Sequence, residues 1–219
     1  MSSGIKVKIC GVRTAEAAMV AAESGTDFIG LVFVEGVRRQ LQPVDGQALV
    51  RSFRIRGHRR GKGGPKIVGL FRNQPAKWVN EVARTVDLDC VQLTGDEDDA
   101  YARKMWKPVF RQVRIRPETT REQLDSEVSG HLAAGRTVVL DRFDERVPGG
   151  GGRAFDWSVA EGVAIKDGVL LAGGLNPGNV ARAVEQLHPW GVDVSSGVET
   201  GGHKDPAKIA AFIQAARLA

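Results

Sequence analysis

The feature that most constrains the fold is a regular alternation of strand-like and helix-like segments along the chain. Eight short apolar runs are each followed by an amphipathic run, a pattern typical of a parallel sheet covered by helices. The predicted strands are Val7–Cys10, Phe28–Phe33, Ile67–Phe71, Cys90–Leu93, Val109–Ile115, Thr137–Asp141, Val169–Ala172 and Val192–Ser195. The predicted helices are Thr14–Ser24, Val44–Phe53, Pro75–Val86, Asp96–Met105, Thr119–Ala134, Asp156–Val163, Pro177–Gln186 and Pro206–Ala216.

Eight such units in 219 residues leave about 27 residues per unit, which predicts an α/β fold of the single (β/α)₈ TIM-barrel type with short loops. A doubly wound open sheet is the alternative fold. It usually has fewer strands and often carries G-x-G-x-x-G after its first strand, where this chain has Cys-Gly-Val-Arg. No linker or change of composition divides the chain, so one domain over residues 1–219 is predicted.

Composition excludes several classes of protein. With 42% hydrophobic and 26% charged residues, the chain is neither disordered nor collagen-like. Two cysteines provide no disulfide framework, and no apolar run reaches the roughly 18 residues of a membrane span. The opening residues lack the apolar core of a signal peptide, so a cytoplasmic protein that needs no membrane is predicted.

The chain has a net charge of +5, and the excess of basic residues is concentrated in one segment. Residues 51–66 hold seven Lys and Arg and no acidic residue, whereas the rest of the chain has 24 basic and 26 acidic residues. A Gly-rich charged run with one aromatic residue is typical of an exposed connecting loop. The alternative is a non-catalytic barrel that binds RNA through residues 51–66.

Polar side chains are predicted to meet at one mouth of the barrel. Residues two apart on a strand share a face, so if the valine and isoleucine of the first strand face the helices, Lys8 and Cys10 face the interior. The same alternation turns Asp141 of the sixth strand and Asp193 and Ser195 of the eighth strand inward. Unpaired burial of Lys8 or Asp193 would be costly, so we expect mutual pairing or a polar ligand.

Two of these residues suit acid–base catalysis. Cys10 ends its strand with Lys8 on the same face, and a nearby positive charge is expected to lower its thiol pKa, making thiolate available as a base or nucleophile. Partial burial is expected to raise the pKa of Asp141, which suits a general acid. Cys90 lies in mid-strand and is interpreted as an inert core cysteine.

Two glycine-bearing turns indicate a phosphate site. Gly173 and Gly174 follow the seventh strand, and Ser195, Ser196 and Gly197 end the eighth. In (β/α)₈ barrels the loops at these two places often bind a phosphate through backbone N–H groups, aided by a helix N-terminus. A small, phosphorylated substrate is therefore predicted.

Three other features complete the candidate site. Arg39 lies in the loop after the second strand, where a guanidinium suits bidentate capture of a carboxylate. The glycine tract Pro148–Gly152 is interpreted as a mobile loop over the site. Histidines and cysteines are scattered and form no ligand motif, so no metal is predicted.

Taken together, these motifs resemble the phosphoribosylanthranilate isomerase family of tryptophan biosynthesis, whose members are (β/α)₈ barrels. The resemblance extends over nearly the whole chain. The matching segments are Lys8–Gly11, Gly30–Phe33, Val91–Gly95, Phe155–Trp157, Leu171–Pro177 and Val192–Glu199.

The resemblance implies an Amadori rearrangement of the aldosylamine N-(5-phosphoribosyl)anthranilate to the amino-ketose 1-(2-carboxyphenylamino)-1-deoxyribulose 5-phosphate, without a cofactor. It implies that Asp141 is the general acid on the ribose ring oxygen and that Cys10 is the general base at C2. Arg39 matches the arginine that holds the anthranilate carboxylate. The residues Gly173, Gly174, Ser196 and Gly197 match the phosphate turns, and Asp193 is expected to touch the sugar.

Two other readings remain open. The chain is alternatively a neighbouring sugar-phosphate barrel, such as the histidine-pathway isomerase, a dual-substrate enzyme or a ribulose-phosphate epimerase, although an acid–base pair of two aspartates would mark the first of these. The other reading is the RNA-binding barrel. Both a monomer and a homodimer are compatible with the sequence.

Overall fold

A computed structural model of the chain describes residues 4–56, 63–142 and 157–219. Eight parallel strands pair in chain order, and the last pairs with the first to close a barrel, which confirms the predicted α/β barrel. The strands are β1 (Lys6–Ile9), β2 (Phe28–Val32), β3 (Lys66–Phe71), β4 (Cys90–Leu93), β5 (Val109–Ile115), β6 (Thr137–Arg142), β7 (Val169–Leu171) and β8 (Gly191–Val194).

Helices follow most strands and cover the outside of the barrel. They are α1 (Ala15–Glu23), α2 (Pro43–Ile55), α3 (Ala76–Thr85), α4 (Asp99–Ala102), α5 (Arg121–Ala133), α6 (Val180–Leu187) and α7 (Pro206–Leu218). Local capping explains several starts: the Thr14 side chain accepts from Ala17 N–H, and Asp205 caps α7 ahead of Pro206. A two-stranded hairpin, β9 (Glu199–Thr200) and β10 (His203–Lys204), precedes α7.

The alternation of side chains along the strands separates two apolar layers. Val7 and Ile9 of β1 pack in the layer between barrel and helices. Cys10 packs with Val68 and Phe110 in the barrel interior. Because parallel strands bury both faces, both layers are closed to water, and polar groups at the carboxyl ends of the strands meet at one mouth.

The predicted helix Asp96–Met105 is wrong in length, since α4 is a single turn. Glu97 is held in the loop, where its carboxylate accepts hydrogen bonds from the backbone N–H groups of Asn73 and Gly95. The helix therefore starts only after Asp98, which caps it by accepting from Tyr101 N–H.

The sixth and seventh predicted helices also differ from the structure. Trp157–Ala160 forms one 3₁₀ turn, and Asp156 lies outside the described residues. The helix expected from Pro177 begins instead at Val180. Asn176 Oδ1 accepts from Gly178 N–H, and this Asx-type turn delays the helix.

Residues 51–55 of the basic segment form the end of α2, where Phe53 is buried, so the prediction of an exposed connecting loop is wrong for this part. Because α2 leads back toward the start of β3, the described parts of the segment lie at the amino-terminal end of the barrel, opposite the mouth. Arg54 is not a free surface charge, because its guanidinium pairs with Asp87 at 2.8 Å and with Asp89 at 3.1 Å. Residues 57–62 of this segment and the tract Pro148–Gly152 lie outside the described residues.

Across residues 4–56, 63–142 and 157–219, no helix combines the length and the apolar character that a membrane crossing requires.

Candidate active site

A cleft of about 850 Å³ opens at the carboxyl ends of the strands. Eight of the nine predicted site residues line it, and Gly197 does not. The eight are Cys10, Arg39, Asp141, Gly173, Gly174, Asp193, Ser195 and Ser196. Residues far apart in the sequence therefore converge on one cavity, as the alternation of strand residues predicted.

At the base of the cleft, Lys8 and Asp193 form a buried ion pair. The two residues are register partners on β1 and β8, and Lys8 Nζ lies 2.9 Å from Asp193 Oδ2. Lys8 is fully buried. Burial by itself lowers the pKa of Lys8, but the Asp193 carboxylate and the Cys10 thiol outweigh it and raise that pKa. Pairing, one of the two outcomes expected from the sequence, is confirmed.

Substituting Lys8 by methionine is expected to lower the free energy of unfolding by about 3–5 kcal/mol, because Asp193 would remain buried without its counter-charge. Urea unfolding followed by circular dichroism measures this. Lys6 is the matched control, since its pair with Asp27 is partly exposed and Lys6→Met should cost at most about 1 kcal/mol. Equal losses in the two variants would contradict a special role for the buried pair.

Cys10 is 5% exposed and lies at the wall of the cleft. The expectation that its thiol pKa is lowered is wrong: burial raises the pKa of Cys10 above its ordinary value. Lys8 and Lys204 act in the opposite direction, but the carboxylate of Asp193 adds to the effect of burial. The cysteine therefore rests as a neutral thiol.

Asp141, at the end of β6, carries a strongly perturbed carboxyl group. Burial and the nearby Asp193 carboxylate raise the pKa of Asp141 to about 6, which agrees with the direction expected from the sequence. Its oxygens accept hydrogen bonds from Gln112 Nε2 at 2.6 Å and from Arg142 N–H at 2.9 Å. These contacts orient the carboxyl group. They lower its pKa, but burial and Asp193 outweigh them and leave the group partly protonated near neutral pH.

The turn after β7 presents backbone donors to the cleft. Gly173 and Gly174 have φ angles of +86° and +74°, in the left-handed region that favours glycine. Within the described part of the chain, their N–H groups donate no hydrogen bond. Successive free N–H groups in this conformation form an anion-binding concavity.

Gly197 does not line the cleft as Ser195 and Ser196 do, but packs against the turn after β7. A Cβ atom at Gly197 would lie 1.9 Å from the carbonyl oxygen of Leu175. The absence of a side chain thus lets the turn after β8 pack against the turn after β7. Ser195 also links neighbouring loops, because its hydroxyl donates to the carbonyl of Cys10 at 3.1 Å.

Arg39 is already paired with a carboxylate of the chain itself. Its Nε and Nη2 lie 2.7 and 3.1 Å from the two oxygens of Glu199. Lys204 donates to Glu199 at 2.9 Å and to the carbonyl of Ser195 at 2.7 Å. Burial alone raises the pKa of Glu199, but Arg39, Lys204 and Arg38 lower it to about 2, so this carboxylate is ionised.

Several polar residues of the cleft are not among the residues predicted from the sequence. Gln112 faces inward on β5, as the alternation used for β1 and β8 would have indicated if applied there. Arg72 lines the cleft just after β3, whereas Glu199 and Lys204 act from behind its wall. Glu199 and Lys204 both lie on the hairpin β9–β10, whose two-residue strands are too short to show a periodic pattern.

In the described ranges, no three His, Cys, Asp or Glu side chains come together as metal ligands.

The chain is similar to known proteins over nearly its whole length. Residues 7–215 match the family model described as N-(5'phosphoribosyl)anthranilate (PRA) isomerase. The N-(5'-phosphoribosyl)anthranilate isomerase of Roseiflexus sp. (strain RS-1) is 41% identical over 220 residues, covering 98% of this chain and 99% of the relative.

Two solved structures extend the similarity to three dimensions. The phosphoribosyl anthranilate isomerase from Thermotoga maritima is 31% identical with a TM-score of 0.82, covering 98% of this chain and 100% of that one. A phosphoribosyl anthranilate isomerase in complex with reduced 1-(o-carboxyphenylamino)-1-deoxyribulose 5-phosphate is 30% identical with a TM-score of 0.77, with the same coverage.

Proposed function

The chain belongs to the N-(5'-phosphoribosyl)anthranilate isomerase family, and from that premise we propose how its own residues carry out the isomerisation. The enzyme converts an aldosylamine phosphate to an amino-ketose phosphate in tryptophan biosynthesis. The observation that carries the proposal is that Cys10, Asp141 and the free amides of Gly173 and Gly174 line one cleft.

The substrate phosphate binds at the turns after β7 and β8. The N–H groups of Gly173 and Gly174, which have no acceptor among the described residues, supply donors for its oxygens, and Ser196 lines the same side of the cleft. Gly197 contributes by letting the two turns pack together. The sugar then lies over the base of the cleft, where Asp193 Oδ1 is buried, has no hydrogen-bond partner among the described residues and accepts from a sugar hydroxyl.

Asp141 is the general acid of the first step. Its proton passes to the ribose ring oxygen while the amine lone pair forms the C1–N double bond, so the C1–O bond breaks and a cationic iminium remains. A pKa of about 6 keeps part of the carboxyl protonated at neutral pH and makes it a competent donor. The bonds from Gln112 and Arg142 hold it in place.

Cys10 is the general base of the second step. Its thiolate removes the proton from C2, and the electron pair moves to the iminium nitrogen to give an enolamine, which tautomerises to the ketone. Because the iminium is the electron sink, the step needs no metal or other cofactor. In the active form the two groups carry one proton in total. Asp141 is protonated and Cys10 is a thiolate. Lys8 and Lys204, which favour the thiolate, stabilise this form.

The function is tested by the fluorescence of N-(5'-phosphoribosyl)anthranilate, generated in the cuvette from anthranilate and followed after addition of the protein. Consumption of the compound with formation of the amino-ketose is the expected result. A folded protein, verified by circular dichroism, that leaves the compound unchanged would overturn the proposal. The histidine-pathway aldosylamine would then be the next compound to test.

Arg39→Ala is expected to raise KM by about 10- to 100-fold with little change in kcat, because the lost charged hydrogen bond to the substrate carboxylate acts in ground and transition states alike. Steady-state kinetics measures the split. Arg38→Ala is the neighbouring control, since Arg38 also contacts Glu199 but does not line the cleft. A drop in kcat with unchanged KM for Arg39→Ala would contradict a binding role.

We also infer a cytoplasmic enzyme, because a catalytic thiol at Cys10 requires a reducing compartment. The predictions of one domain over residues 1–219 and of a monomer or homodimer stay as predictions. The mechanism requires a small phosphorylated substrate, and it uses no nucleic acid.

A further inference from the structure

Arg72 is a cation of the cleft that the mechanism above does not use. It follows the last residue of β3 and lines the same cavity as Cys10 and Asp141. Its Nε is buried and has no hydrogen-bond partner among the described residues. A buried donor without a partner costs about 1–3 kcal/mol, so its presence in a ligand cavity indicates that a ligand satisfies it.

The neighbouring carboxylates do not neutralise Arg72. Glu97 accepts from Arg111 at 2.9 Å and from two backbone N–H groups, and Asp96 accepts from the side chain of Asn73. Among the described residues, no carboxylate lies within ion-pair distance of Arg72. Burial and the positive charge of Arg114 lower the pKa of Arg72, and the carboxylates of Glu97 and Asp96 only partly offset this effect.

The position of Arg72 identifies the end of the substrate that it meets. In the closed barrel β3 stands four strands from β7, on the opposite wall from the phosphate turn. A substrate whose phosphate binds at Gly173 and Gly174 and which spans the cleft extends its other end toward β3. In N-(5'-phosphoribosyl)anthranilate that end carries the aromatic carboxylate, the second anionic group of the molecule.

Arg39 alone is poorly suited to hold that carboxylate. The Nε and Nη2 side of its guanidinium, which gives the usual bidentate geometry, is already occupied by both oxygens of Glu199. Arg39 therefore has a reduced set of free donors toward the cleft, whereas the Nε of Arg72 is free among the described residues.

Resting on the proposed function, we propose that Arg72 is a substrate-binding and specificity-determining residue that binds the aromatic carboxylate of the substrate together with Arg39. The carboxylate completes the hydrogen bonding of Arg72 Nε and supplies the ion-pair partner that Arg72 lacks among the described residues. Arg72 thus selects an N-aryl group bearing a carboxylate over one without it.

The test compares two ligands across variants of Arg72. The first ligand is the reduced amino-sugar phosphate carrying the 2-carboxyphenyl group, and the second is the same compound with an unsubstituted phenyl group. Inhibition constants are measured for wild type, Arg72→Gln and Arg72→Lys. Arg116→Met is the matched control, since Arg116 is an exposed cation just after β5 and does not line the cleft.

Arg72→Gln is expected to lose about 10- to 100-fold in affinity for the carboxylated ligand and little for the phenyl ligand. Arg72→Lys should recover part of the loss, and Arg116→Met should bind both ligands as wild type does. Equal losses for the two ligands, or no loss for either, would overturn the inference. A wild-type protein that neither isomerises the substrate nor binds the carboxylated ligand would instead refute the proposed function, so the two failures are distinguishable.

Discussion

Cys10→Ala is expected to lower kcat by about 10²- to 10⁴-fold, the contribution of one general base, while the protein stays folded. Alanine cannot accept the C2 proton, and no other described side chain of the cleft combines a comparable proton affinity with the position of Cys10 beside Lys8. KM should change far less, since the thiol makes no ion pair with the substrate. The fluorescence assay with purified variants measures both constants.

The matched control is the second buried cysteine. Cys90 is as buried as Cys10 and packs in the same barrel interior, but it does not line the cleft. Cys90→Ala should therefore keep kcat close to that of wild type. If both variants lost activity alike, packing of the barrel interior rather than a base at Cys10 would explain the loss.

The raised pKa of the Cys10 thiol can be checked by ultraviolet absorbance. Because burial raises the pKa of Cys10 above its ordinary 9.0, the free enzyme should show no thiolate absorbance from Cys10 at neutral pH. The ultraviolet difference between wild type and Cys10→Ala isolates this signal, since Cys90 is common to both proteins. A thiolate signal at neutral pH would contradict the neutral resting state.

Asp141→Asn is expected to lower kcat by about 10²- to 10⁴-fold, because an amide cannot protonate the ring oxygen. The amide oxygen can still accept from Arg142 N–H, so the loop geometry survives. Asp45→Asn, at an exposed position on α2, is the control and should leave kcat unchanged.

The same substitution is expected to stabilise the fold at high pH. In the folded protein the pKa of Asp141 is raised from its ordinary 3.8 to about 6, so the folded state binds the proton more tightly than the unfolded chain does. The stabilisation from this proton is complete below about pH 4 and is lost as pH rises through 6. Above that pH, the buried carboxylate lowers stability by up to about 3 kcal/mol.

Asparagine carries no charge at any pH, so the stability of Asp141→Asn relative to wild type should rise as pH increases through 6. Urea unfolding of both proteins at about pH 4 and about pH 8 measures this difference. A variant less stable than wild type by the same amount at both pH values would contradict the raised pKa. Loss of activity with a gain of stability is the pattern of a group kept strained for catalysis.

Helix lengths depended on tertiary contacts that sequence patterns do not contain. The amphipathic run from Asp96 predicted a helix, but Glu97 satisfies backbone donors of two loops and Arg111, so only one turn forms. Likewise Asn176 and Pro177 have the composition of a helix start, but the Asn176 side chain closes a turn first. In both places a side chain, of Glu97 or of Asn176, accepts a hydrogen bond from a loop N–H group, and the helix starts later in the chain.

The pKa values of Asp141 and Cys10 were also predictable from the sequence only in part. The rise in the pKa of Asp141 followed from burial at a strand end, which alternation predicts, and it was confirmed. For Cys10 the neighbouring Lys8 suggested the wrong direction, because the sequence does not show how far burial, the largest cause of the raised pKa, shuts the thiol off from water. Glu199, which holds Arg39, and Lys204, which acts on the pKa of Cys10, lie on the two-residue strands of the hairpin β9–β10, which are too short to show a periodic pattern.

The sequence by itself determined the eight-stranded barrel and the inward-facing residues Cys10, Asp141 and Asp193 at its mouth, because these follow from a strand period of two residues and from the order of segments. Only the tertiary structure decided the charge state of Cys10, the pairing of Arg39 with Glu199 and the lack of a hydrogen-bond partner for Arg72 Nε among the described residues. Those properties depend on every charge, donor and water-excluding group within a few ångströms, and such neighbours come from distant parts of the chain.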